Sequence, residues 1–229
     1  MSGSLLGSDS SRAHDSPVAQ AVKAPSFKLV VIAASAGGLA AVSAVLRCLP
    51  ASFPGAIVVV QHLDPHHPSV MDEILGRRTA LKVSMAKHGS FVTPGGVLIA
   101  PPGRHLLVNA DATVTLTDTG RVQFVRPSAD LLFESAAATF GERAIGVVLT
   151  GKGGDGGQGV LAIKQAGGTV IAQDETTSQA FGMPGAAIHT GQVDYILPLA
   201  EVGAVLIALT TGVSPQLEIG PDAINASSQ

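Results

Sequence analysis

The sequence predicts an α/β protein: a doubly wound, mostly parallel sheet in a three-layer α/β/α sandwich, with one antiparallel hairpin. Three observations lead there. Short apolar runs rich in β-branched residues alternate with Ala-rich segments of helical length. The composition, 46% hydrophobic but only 3% aromatic and without tryptophan, suits buried Val and Ile strands covered by small-residue helices. Gly and Pro clusters punctuate the chain between these segments.

Taken in order, residues 27–34 read as a first strand and 38–49 as a helix closed by Pro50. Residues 56–62 are a second strand, 69–78 a second helix and 82–85 a short strand. A Pro94-Gly95-Gly96 turn leads into a strand at 97–100, ended by Pro101-Pro102-Gly103. Residues 106–108 and 113–117 flank Asn109-Ala110-Asp111 as a hairpin. Ser128 is placed to cap a helix reaching Phe140. A strand at 144–150, a helix at 158–166 closed by Gly167 and a strand at 169–173 follow. A short helix at 184–189, a strand at 195–197 and a helix at 199–209 complete the series, and no internal repeat is visible. Residues 1–26 read as a disordered leader, 27–211 as one catalytic domain and 212–229 as a loose tail.

Charge and cysteine content narrow the function. A net charge of −3 with scattered Lys and Arg gives no reason to expect nucleic acid. Arg77-Arg78, the only tight basic pair, reads as a solvated last helical turn. The single cysteine, Cys48, excludes an internal disulfide, and its apolar neighbours predict a buried core thiol. No stretch approaches the ~20 apolar residues that span a bilayer, and the first residues lack the basic start and apolar block of a signal peptide. A cytoplasmic protein with no membrane insertion is expected.

Ligands of such folds bind beyond the carboxyl ends of the strands, and three strand ends carry chemistry. The first strand runs into Ala33-Ala34-Ser35-Ala36-Gly37, a relaxed nucleophile elbow with alanine in the first glycine position. The second ends on His62. The strand at 144–150 opens a Gly-rich loop that holds Asp155. Serine, imidazole and carboxylate meeting at one edge suit nucleophilic acyl transfer. Each also fits a plainer role: a packing loop for Ser35, a sheet-capping histidine, a turn aspartate. His62, Asp64, His66 and His67 hint at metal, but Pro65 breaks the helical spacing that would align them, so no metal or other cofactor is expected. The loop from Gly151 to Gln158 could cradle phosphate, yet it lacks the Gly-Lys-Ser/Thr ending.

Ala33-Ala34-Ser35-Ala36-Gly37-Gly38, Gln61-His62, Ile99-Ala100-Pro101-Pro102-Gly103-Arg104-His105 and the stretch from Arg126 to Ser135 form one ordered set with two later motifs. Those are Leu149-Thr150-Gly151 through Gly156, and Gln173-Asp174-Glu175 followed by Phe181-Gly182-Met183-Pro184. Together, from about Lys28 to Leu209, they resemble the catalytic domain of the CheB-type chemotaxis receptor methylesterases. The resemblance implies Ser35 as nucleophile, His62 as general base and Asp155 as its orienting carboxylate. It implies as substrate the γ-methyl ester of glutamates on methylated chemoreceptor cytoplasmic helices, with receptor glutamines as further substrates for deamidation. Backbone N–H groups of Ala36, Gly37, Lys152 and Gly153 are the candidates for oxyanion and substrate binding.

Three departures from the family stand out. Ala36 replaces a usual Thr and Lys152 a usual Met, and residues 1–26 are too few for the family's usual receiver domain, so a stand-alone esterase domain is expected. Ala36 and Lys152 also motivate the alternative of a non-catalytic binding module in a chemosensory array. His105 and Asp130 are expected to touch the cleft or support the hairpin, Met183 to line the cleft or fill the core, and Asp174 and Glu175 to form a solvated strand end.

Overall fold

In a computed structural model, residues 25–63 and 68–213 are described. The strands are β1 (Leu29–Ala34), β2 (Ala56–Gln61), β3 (Lys82–Met85), β4 (Gly96–Ile99), β5 (His105–Val108), β6 (Val114–Thr117), β7 (Ala144–Val148), β8 (Thr169–Gln173) and β9 (Tyr195–Leu197). The helices are α1 (Gly38–Arg47), α2 (Met71–Gly76), α3 (Ala129–Phe140), α4 (Gly157–Gln165), α5 (Gly182–His189) and α6 (Leu199–Thr211). Among the described residues, seven strands pair in parallel in the order β3-β4-β2-β1-β7-β8-β9. The pair β5–β6 is the expected antiparallel hairpin.

The central strands are buried on both faces, which is why they read as continuous Val and Ile runs rather than alternating ones. Side-chain parity then sorts the layers. Leu29, Val31 and Ala33 face the core made with α3, α4, α5 and the hairpin. Val30, Ile32 and Ala34 face the core made with α1, α2 and α6. On α3 the apolar positions 129, 132, 133, 136, 137 and 140 form one stripe, all buried against the sheet. Gly159 lets α4 approach α3, because a side chain there would collide with Phe133.

Element boundaries differ from expectation mainly at the ends. Phe27 and Lys28 precede β1, and the second helix covers 71–76 rather than 69–78. Ser69 Oγ accepts the Met71 N–H at 3.2 Å, closing a turn instead of a helical start. Beyond Gly76 the chain tightens, with the Arg78 N–H donating to Leu75 O at 2.9 Å. Arg77 and Arg78 are solvated, as expected. Cys48 corrects the sequence reading: it is exposed, because it falls one residue past the end of α1, where the apolar stripe has turned away. The expected leader and tail lie almost wholly outside the described residues. No described helix is long and apolar enough to cross a membrane.

Phe133 fills the space between α3, α4 and β7, lying against the glycines at 146 and 159. Phe133→Ala is expected to cost about 3–5 kcal/mol in urea-unfolding experiments, because the surrounding layers are too rigid to close the cavity. A loss under about 1 kcal/mol would show that the core relaxes freely there.

Candidate functional site

The parallel sheet reverses its winding direction at β1, which pairs with β2 on one side and β7 on the other. Crevices form at such switch points. Ala34 aligns with Gln61 in the β1–β2 register, so Ser35 and His62 are the next residues on adjacent strands. The ladder runs one bond further, the His62 N–H donating to Ala34 O at 3.1 Å. Odd positions of β1 and even positions of β2 face α3. Extending that alternation places Ser35 and His62 on the α3 side of the sheet, where Asp155 lies.

Asp155 is 3% exposed and its carboxylate is fully engaged. Oδ2 accepts from His62 Nε2 at 2.8 Å and from the Ala129 N–H at 2.6 Å. Oδ1 accepts from Ser128 Oγ at 2.8 Å and from the Asp130 N–H at 3.2 Å. Ser128 thus stands at the expected N-cap position of α3, but its hydroxyl donates to Asp155 instead of accepting from the helix. The carboxylate takes over the free N–H groups of the first turn, where the helix dipole favours an anion. Burial by itself would raise the Asp155 pKa. The hydrogen bonds from His62, Ala129, Ser128 and Asp130 outweigh it and hold the carboxyl below its ordinary value.

A carboxylate on Nε2 makes that nitrogen the proton-bearing one in neutral His62, leaving the Nδ1 lone pair available. Ser35 is half-buried and its turn is tied from three sides. Its N–H donates to Thr150 O at 3.0 Å, and its carbonyl accepts from Gln61 Nε2 at 2.7 Å. The Ala36 carbonyl accepts from Thr150 Oγ1 at 2.9 Å. Among the described residues, no hydrogen bond joins Ser35 to His62, and the N–H groups of Ala36, Gly37, Lys152 and Gly153 meet no acceptor. The side chain of Lys152 is exposed. Gly151 packs where any side chain would strike Ser35 Cβ and Met183.

Asp130 makes the mirror arrangement. Its Oδ1 accepts the N–H groups of Gly156 and Gly159, both at 2.9 Å, at the start of α4. Oδ2 accepts from Gln123 Nε2 at 2.6 Å. Burial, with a smaller push from the Asp155 charge, raises its pKa against those hydrogen bonds. This answers the phosphate reading of the loop, whose N–H groups at Gly156 and Gly159 are already filled by a carboxylate.

His105 is a support. Its Nδ1 accepts the Ser128 N–H at 3.1 Å, so Nε2 carries the proton and donates to Gly120 O at 3.0 Å. Met183 belongs to the core. Asp174 accepts from Thr176 and Thr177 in its own turn, and Glu175 is solvated. Of the metal candidates, Asp64, His66 and His67 fall outside the described residues. Among the described ones no group of three or more His, Cys, Asp or Glu could hold a metal ion. Sequence reasoning gave no role to Thr150 or to Gln61 as tethers of the serine turn, nor to Gln123. The one available signal was polarity, Gln61 being a polar residue at the end of an otherwise apolar strand.

Comparison with known proteins agrees with this architecture. The sequence profile of the family described as CheB methylesterase matches residues 30–206. The protein-glutamate methylesterase FrzG of Myxococcus xanthus is 43% identical over 183 residues, covering 80% of this chain and 55% of the relative. A protein-glutamate methylesterase/protein-glutamine glutaminase of Anaeromyxobacter dehalogenans is 45% identical over 188 residues, 82% of this chain and 55% of its own length. The chain therefore spans about half the length of these curated relatives. The crystal structure of the Thermotoga maritima CheB methylesterase catalytic domain superposes with a TM-score of 0.78 at 39% identity. That match covers 81% of this chain and 100% of the other. The chain belongs to the CheB methylesterase family.

The lowered pKa of Asp155 fixes the sign of one pH effect. Its contribution to stability is present above 3.8, the ordinary value, and is lost as pH falls through the lower folded value. The stability gap between wild type and Asp155→Asn should therefore shrink as pH drops below 3.8, as read by urea unfolding across the acid range. A gap that stays constant would mean that Asp155 gains nothing from its partners.

Proposed function

We propose that this chain hydrolyses the γ-methyl esters of protein glutamates, releasing methanol, with Ser35 as nucleophile, His62 as general base and Asp155 as the carboxylate that orients it. The observation that carries this reading is the 2.8 Å contact between a buried Asp155 and His62, set beside Ser35 at the switch point of the sheet. It fixes the imidazole tautomer and leaves Nδ1 as the base.

In the first half-reaction Ser35 Oγ attacks the ester carbonyl carbon and its proton passes to His62 Nδ1. A serine–histidine contact of this kind commonly tightens only when substrate is bound. The oxyanion that forms is met by N–H groups from Ala36, Gly37, Lys152 and Gly153, which have no acceptor among the described residues and so cost no reorganisation. Collapse breaks the bond to methoxide, which takes the Nδ1 proton and departs as methanol. The imidazolium is stabilised meanwhile by Asp155. Water, deprotonated by His62, then attacks the acyl-serine, freeing glutamate and restoring Ser35. A glutamine side chain enters the same cycle with ammonia as leaving group. Ala36 and Lys152 change side chains but keep their backbone N–H groups, so the donors survive both departures from the family pattern. The substrates are methylated chemoreceptor cytoplasmic helices.

Methanol release from a methylated chemoreceptor fragment tests this directly. Ser35→Ala is expected to lower the rate at least about 10³-fold while leaving the unfolding transition in place. Asp155→Asn should lower kcat by about 10⁴-fold, through loss of the Nδ1 lone pair. Release that does not depend on Ser35 would overturn the reading.

A further inference from the structure

Beside the site, residues 122–125 form a two-residue hairpin turn. The Val122 N–H donates to Val125 O at 3.1 Å, and the Val125 N–H donates back to Val122 O at 2.9 Å. The central residues Gln123 and Phe124 have φ of 46° and 67°. Such left-handed turns normally take Asn and Gly, and a bulky residue there is strained. The aromatic ring recovers nothing from the fold, since Phe124 is 92% exposed. Gln123 nevertheless pins the turn to Asp130, at 2.6 Å. Strain held in place by a buried partner, around a side chain left almost wholly in solvent, marks a contact that the described residues do not make among themselves.

The turn borders the site. Phe124, Val125 and Arg121 line a cleft of about 150 Å³ together with His62 and Leu63. A second cleft of about 330 Å³ opens against Ser35 itself, with Leu39 and Arg78 in its wall. Arg78, Arg121 and Lys152 are all exposed, and none makes an ion pair among the described residues. Arg121 lines the first cleft, Arg78 the second, and Lys152 stands on the loop that carries Asp155, so cations without ion pairs among the described residues border the site in a chain whose net charge is −3. That pattern is complementary to an acidic polypeptide.

Resting on the esterase reading, we propose that the cleft between His62 and the 122–125 turn is a subsite for the polypeptide flanking the reacting glutamate. Its occupant is an acidic amphipathic segment. Phe124 packs on an apolar side chain of that segment, and Arg121 receives one of its carboxylates. Each turnover leaves a new glutamate carboxylate, so a segment with several target glutamates gains charge for this cleft as it is processed.

Two measurements on the full chain test the subsite. The first is fluorescence anisotropy of a labelled, glutamate-rich amphipathic helical peptide binding to wild type, Phe124→Gly and Arg121→Glu. The second is the ratio of kcat/KM for the methyl-esterified peptide to that for N-acetylglutamate γ-methyl ester. Each substitution is expected to weaken peptide binding about tenfold and to lower the ratio comparably. Phe124→Gly should also raise Tm, because glycine accepts the left-handed turn without strain. Unchanged binding in both variants overturns the subsite, as does a loss that falls equally on both esters. If wild type hydrolyses neither ester the esterase reading falls, while Phe124- and Arg121-dependent binding would still sustain the cleft as a peptide site.

Discussion

Two helices each hold the other's missing anion. Asp155, just before α4, fills the N-terminus of α3, and Asp130, in the first turn of α3, fills the N-terminus of α4. Helix starts leave several N–H groups without partners, and buried ones are costly unless satisfied. Exchanging carboxylates satisfies both ends at once and fixes the loop between β7 and α4. That loop carries the group that positions His62. The arrangement explains why a carboxylate can be 3% exposed and still stay ionised more readily than in water. Its partner, with fewer compensating donors, is pushed the other way.

Around this pair the site divides its work between rigid and open groups. Carbonyls of the serine turn are tied down by Gln61 and Thr150, while N–H groups near them carry no bond among the described residues. On the proposed reading these free donors meet the developing negative charge, and no hydrogen bond must break first. Thr150 is tied in turn, its N–H donating to Gln173 Oε1 at 2.8 Å. The chain of support thus runs from β8 through β7 to the end of β1.

Much of this was legible before any coordinates. Strands 82–85, 169–173 and 195–197 match the sequence reading residue for residue, the last two being set off by Gly167-Gly168 and Pro198. Ser35, His62 and Asp155 were legible because each follows an apolar run that ends abruptly in polar or small residues. What escaped depends on partners distant in sequence. Ser128 looks like an ordinary helix cap until Asp155 arrives from 27 residues away. Gln61 lies in a motif that assigns it no task and Gln123 lies in none, so only the fold shows what they hold. Cys48 was misread because its neighbours at 45, 46 and 49 are buried, whereas helix geometry at a C-terminus turns the intervening residue outward.

The position of β1 has a consequence for how the protein is made. This strand lies between β2, which follows it closely in the chain, and β7, which arrives more than a hundred residues later. As a ribosome delivers the chain, Ser35 and His62 emerge well before Asp155. Until β7 appears, one edge of β1 is an open, strongly apolar template for mispairing. Long-range parallel pairing is also slow to form. The carboxylate that engages His62 therefore arrives with the strand that seals the hazardous edge, so that on the proposed reading a half-made chain is aggregation-prone before it can be hydrolytic.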